Sequence, residues 1–190
     1  MTNEEFIGKV AAEAVSNNIT LRILQRRSID KYAGWFDSNK KELVCAIKHK
    51  LGFEVLIHEY NHMRQFLDRH DFWVECDGYG ANFVRWVGDD TKVPQKKVNK
   101  FYIDAIKIEC DCERNSIKTI EANNLNVSVQ QYAKNANAYL FSYNYALKHR
   151  KWPNGSIYAQ EIIKEMPDNI VTVSDIESNK DIYKLYEKYC

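Results

Sequence analysis

Between Phe53 and Leu67, the apolar residues Phe53, Leu56, Ile57, Tyr60, Met63 and Leu67 recur at steps of three and four, the spacing of a four-turn amphipathic helix. Inside it stands His58-Glu59-Tyr60-Asn61-His62. Four residues apart, His58 and His62 leave one face of such a helix, so two imidazole nitrogens can reach one ion. Glu59 is turned about 100° from His58, past direct ligation but within reach of a water held by that ion. The stretch therefore predicts two ligands of a zinc site and a general base beside them. The plain alternative is a pair of core-helix histidines next to a solvated glutamate.

At 190 residues and 45% hydrophobic content, the chain suits a single globular domain. Its 27 Lys and Arg against 26 Asp and Glu give no global field that would draw it to nucleic acid or to an anionic membrane. No apolar run has the length of a membrane span, and the opening Met1-Thr2-Asn3-Glu4-Glu5 lacks the basic and apolar regions of a signal peptide. A cytoplasmic protein is expected. The five cysteines, Cys45, Cys76, Cys110, Cys112 and Cys190, are an odd set without Cys-x-x-Cys spacing, and they read as reduced thiols, most of them small buried hydrophobes.

Thr2 and Glu5 have the spacing of a capping box, and Phe6, Ile7, Val10, Ala11 and Ala14 follow as one stripe, predicting a helix over 3–16. Alternation through Ile19, Leu21 and Ile23 predicts a strand. Two further strands, over 32–36 and 42–47, flank the turn Asp37-Ser38-Asn39-Lys40 and predict a hairpin directly before the histidine helix. An exposed edge of that sheet would bind an extended peptide by main-chain hydrogen bonds. Residues 68–97 combine aromatics with glycines without strong periodicity and read as an aromatic-rich excursion, a lid or a completion of the core. Helical spacing returns over 98–121 and again over 129–149, the second helix capped by Ser128. Residues 153–190 read as a C-terminal extension packed on the core: a short helix over 157–165, a strand over 170–173 and a last helix opened by Ser174. The order of elements predicts an α+β fold.

Within the 98–121 helix, Glu109 has Ala105, Ile106 and Cys112 as helical neighbours, so its carboxylate leaves a largely apolar face, and Glu113 shares that face. A buried carboxylate needs a cation, a metal or several donors. Zinc in a hydrolase takes three protein ligands and keeps one position open for water. For the third ligand, His49, His70 and His149 compete with Glu109 and Glu113. His49 and His70 flank the histidine helix and His149 sits in the basic stretch Lys148-His149-Arg150-Lys151, which favours the acidic pair.

A His-Glu-x-x-His helix followed by a second helix bearing Glu109, with Glu113 four residues on, resembles the gluzincin class of zinc metallopeptidases, to which thermolysin belongs. Glu109-Cys110-Asp111-Cys112-Glu113-Arg114, Lys134-Asn135-Ala136-Asn137-Ala138-Tyr139 and Arg150-Lys151-Trp152 are further similar to small metallopeptidases encoded by tailed bacteriophages. The resemblance implies a minimal zincin-like core: an N-terminal helix, a small three-stranded sheet, the His-Glu-x-x-His helix and the Glu-bearing helix. It also implies Zn2+ held by His58, His62 and Glu109, with Glu113 hydrogen-bonded to His58 and orienting it. Glu113 stands where thermolysin-like enzymes carry Asp. On this reading the zinc activates a water and polarises a scissile peptide carbonyl, Glu59 takes the proton and passes it to the leaving amine, and Tyr139 and Tyr143 are candidate oxyanion donors. The expected partner is a peptide or protein substrate. The rival expectation is a catalytically silent zinc-binding protein with a regulatory or assembly role.

Overall fold

The computed structural model describes residues 1–89, 92–154 and 156–190, and for 77–79 the backbone alone. The fold is α+β, with helices and a small three-stranded mixed sheet. The chain divides into two compact units, one formed by Met1–His70 with Asn115–Val129 and the other by Asp71–Arg114 with Gln130–Cys190.

The first unit begins with α1 (Asn3–Ser16), whose capping box forms as expected: Thr2 Oγ1 accepts from Glu5 N–H and Glu5 Oε2 accepts from Thr2 N–H. Phe6, Val10 and Ala14 on its inner face are fully buried. Strands β1 (Thr20–Leu24), β2 (Gly34–Asp37) and β3 (Glu42–Ala46) follow in the spatial order β1-β3-β2. The predicted hairpin is present. β2 and β3 are antiparallel, joined by a turn in which Asp37 Oδ1 accepts from the N–H groups of Asn39 and Lys40. β1 runs parallel to β3, so β3 is the central strand, and its Leu43 to Ala46 are fully buried.

The histidine helix is α2 (Gly52–Asp68). It leaves the sheet through a connection with no spare room: a Cβ at Gly52 would lie 2.7 Å from the carbonyl oxygen of Ala46 and 2.6 Å from that of Ile47. Cys45 Sγ donates to Gly52 O, tying β3 to the first turn of α2. Phe6 meets both Phe53 and Tyr60 edge-on, Tyr60 Oη donates to Glu13 Oε2, and Phe66 covers Phe36. α1 and the sheet thus both hold α2. The long helix α5 (Gln95–Ala122) has its last two turns in this unit, where Thr119 Oγ1 donates to Asn61 Oδ1.

In the second unit, the stretch expected as an irregular excursion over 68–97 is largely helical, forming α3 (His70–Glu75) and α4 (Asp77–Gly88). Asp90 and Thr91 of that stretch lie outside the described residues. Gly80 is one reason the helical period was obscured. Its φ is +60°, and a Cβ there would fall 2.2 Å from Ala105 Cβ, so the position admits only glycine. The aromatic side chains complete a core: Phe83 stacks on Tyr143 of α6 (Val129–His149), and Trp152 stands edge-on to both.

The C-terminal segment differs from expectation in several places, the short helix expected over 157–165 covering only Gln160–Ile163 and the single last helix forming as two. No strand forms over 170–173; instead Asn137 takes up the peptide groups a sheet would have paired, with Nδ2 donating to the carbonyls of Pro167 and Asn169 and Oδ1 accepting from Val171 N–H. After α7 (Gln160–Ile163), the next helix, α8 (Val173–Ser178), is opened by a capping box of Thr172 and Asp175, two residues before the expected Ser174. Asn179 then caps a separate α9 (Lys180–Tyr189). Among the described residues no helix is long and apolar enough to cross a membrane.

Candidate metal centre

α2 places His58 and His62 on one face, their rings edge to face with centroids 4.5 Å apart. His58 is half-buried and His62 fully buried. His62 Nδ1 lies 2.8 Å from Gln65 Oε1. With a carboxamide oxygen as its acceptor, Nδ1 carries the hydrogen, and the ring's lone pair is on Nε2, the tautomer a metal ligand needs. The sequence reading sought an orienting partner for the histidines on another helix. Gln65 lies three residues along the same helix from His62, a helical-neighbour spacing that was legible in advance.

Glu59 is 8% exposed, and its Oε2 accepts the backbone N–H of Phe36 at 2.9 Å. Phe36 belongs to β2, the outer strand, and pairs with Leu43 of β3. The sheet expected beside the histidine helix therefore reaches Glu59 through a main-chain donor. Cys45 on β3 feels the same carboxylate. Burial first, and then the charge of Glu59, push its thiol up to about 12, so it stays protonated.

On α5, Glu109 and Glu113 are 2% and 4% exposed, which bears out the buried acidic face. Their donors come from tyrosines of α6. Tyr143 Oη donates to Glu109 Oε1 at 3.1 Å, and Tyr132 Oη donates to Glu113 Oε2 at 2.6 Å. Tyr139 Oη lies 2.9 Å from Tyr143 Oη, extending the line from Glu109. Burial, and then the negative charge of Glu109, hold both phenols well above their ordinary range and therefore neutral, as donors must be. Of the two residues considered as oxyanion donors, Tyr143 thus donates to a buried acid and Tyr139 is bonded to Tyr143.

One group of side chains among the described residues could hold a metal ion: His58, His62 and Cys112, whose candidate ligand atoms all lie within 4.8 Å of one another. Two imidazoles and a thiol are a donor set suited to zinc and to other borderline or soft ions. Glu109 is not a member of that set, and neither are His49, His70 and His149. His149 bonds Tyr183 Oη, and His49 Nδ1 accepts from Leu51 N–H. From the sequence Cys112 reads only as a small buried hydrophobe, because a buried cysteine on an apolar helix face looks the same whether it packs or ligates. Its position one turn from Glu109 on the same face was the available signal.

Comparison with protein-family models, curated proteins and solved structures finds no match for this chain.

Proposed function

We propose that this chain is a zinc-dependent metallopeptidase, with His58 and His62 as ligands, a third ligand from α5 and Glu59 as general base. The observation that carries the reading is Glu59 itself: a carboxylate one residue from a metal-spaced histidine, held from behind by the Phe36 N–H. When bound, zinc would supply Lewis acidity that makes water a nucleophile near neutral pH. Glu59 takes a proton from that water and returns it to the departing amine, and the Phe36 hydrogen bond keeps the carboxylate from swinging between the two tasks. Gln65 holds His62 in the ligating tautomer.

Two residues of α5 contend for the third place. Cys112 stands with the histidines, while Glu109 is the ligand that the gluzincin resemblance points to. Either one alone leaves the fourth position open for water, whereas both together close it. Closure would favour the second reading, a catalytically silent protein in which the metal is a structural staple; the thiol in the donor set is what motivates it. The deciding experiment is metal analysis of the purified protein together with peptide hydrolysis by wild type and Glu59→Gln. Stoichiometric zinc with hydrolysis that Glu59→Gln abolishes supports the peptidase. Stoichiometric zinc with no hydrolysis of any peptide in a diverse library supports the staple.

A further inference from the structure

The first unit holds a concavity of about 390 Å3, lined by α1, by α2 with Arg69 after it, and by the end of α5 with Asn123 after it. Four cationic side chains border it, Lys9, Arg64, Arg69 and Lys118, against one bordering carboxylate, Asp68, with Glu13 pairing Arg64 from outside the lining. The chain as a whole is nearly balanced, at a net charge of +1, so this excess of cations is local.

The cations are not equivalent. Arg64 is compensated by Asp68 and by Glu13, at 2.5 Å and 3.2 Å. Lys9 and Lys118 are placed instead by neutral groups. Lys9 Nζ donates to Asn123 Oδ1 at 2.8 Å and Lys118 Nζ to Asn115 Oδ1 at 3.3 Å, and among the described residues neither forms an ion pair. Asn123 is itself fixed, its Nδ2 donating to Thr119 O. A carboxamide that orients an ammonium while leaving its charge intact, and two of its three hydrogens unspent, prepares it for an anion. Buried Asn61 and Gln65 border the same space and add uncharged polar groups.

We propose that this concavity binds a phosphate-bearing small molecule, with Lys9 and Lys118 as its principal contacts. A carboxylate carries one charge and would answer one ammonium. A phosphate or diphosphate group carries the charge and the several acceptors that two ammoniums call for. The proposal is independent of the peptidase reading, since neither lysine belongs to the metal group.

The test is a titration of the protein with inorganic pyrophosphate, followed by backbone amide NMR at constant ionic strength, with a short single-stranded oligonucleotide as a second arm. Saturable shifts at Asn115, Lys118, Thr119 and Asn123 are expected, weakened about tenfold or more in a Lys9→Gln/Lys118→Gln double variant. The exposed Lys184→Gln serves as a control that leaves binding unchanged. Shifts confined to the surroundings of His58 and His62 would report chelation at the metal group and overturn the proposal, as would binding that the double variant does not alter. Saturable binding of the oligonucleotide without pyrophosphate binding would also overturn it, in favour of an extended nucleic-acid track. Because both lysines are exposed, the double variant is expected to melt at the wild-type temperature; if it does not, the single variants, each with partial loss, carry the test.

Discussion

Phe36 N–H and Glu59 Oε2 are 2.9 Å apart, so the outer strand of the sheet holds the carboxylate next to the metal-spaced histidines. This bond separates two effects in a mutational test. Glu59→Gln keeps an acceptor for Phe36 and should leave stability within about 0.5 kcal/mol of wild type. It removes the proposed base, and hydrolysis should fall by roughly 10²-fold to 10⁴-fold while bound metal is retained. Unaltered turnover with full metal occupancy would remove Glu59 from the reaction.

For metal binding, His62→Ala should abolish stoichiometric zinc. Cys112→Ser and Glu109→Ala should each be compared with Glu113→Ala, which is expected to retain more zinc than Glu109→Ala. Cobalt substitution reports the thiol directly, because a thiolate ligand gives a near-ultraviolet charge-transfer band that Cys112→Ser would erase. A cobalt spectrum without that band in the wild-type protein would exclude Cys112 from the coordination sphere.

Tyr143→Phe keeps the ring that stacks on Phe83 and removes the hydroxyl that serves Glu109. A buried carboxylate that loses a donor costs about 1–3 kcal/mol, read as a lowered urea midpoint. If the midpoint does not move, Glu109 is carried by something other than Tyr143.

Gly80→Ala meets both a left-handed backbone and the side chain of Ala105. Strain of each kind is worth roughly 1–3 kcal/mol, so a loss of about 3 kcal/mol is expected in chemical denaturation. A variant as stable as wild type would show that α4 and α5 can separate at this point without cost.

Alkaline pH should destabilise the fold. Burial raises the thiols of Cys45 and Cys110 to about 12 from an ordinary 9.0, and the phenol of Tyr60 to about 12 from 10.0. Each group prefers to stay neutral in the folded chain, so its contribution is complete below its unfolded value and is lost as pH climbs from about 9 through about 12. Urea midpoints measured across that range should fall steadily, and thiol-reactive dye should reach Cys45 only as the protein unfolds. A flat profile to pH 12 would contradict the assignment of these groups as buried neutral partners.

Much of this architecture was readable from local chemistry. The bounds of α1 and α6 coincide with the predicted 3–16 and 129–149, because the start of α1 is written in its capping box and the faces of both helices in apolar steps of three and four. The pairing of His58 with His62 was equally local. What could not be read depends on contacts between distant residues. The parallel pairing of β1 with β3 is set by the packing of whole elements, not by either strand's own pattern. Residues 170–173 have a strand's composition but no strand to pair with, and a single asparagine on α6 supplies the missing partners.

The tight exit from β3 bears on how this chain can vary over time. With two carbonyl oxygens standing where a side chain at residue 52 would begin, no substitution is a small step there. If the proposed peptidase reading holds, a lineage that lost Glu59 would lose its chemistry in one mutation and go on folding, but it would keep the glycine. Among relatives of this protein, Gly52 should therefore mark descent and, on the peptidase reading, Glu59 should mark activity.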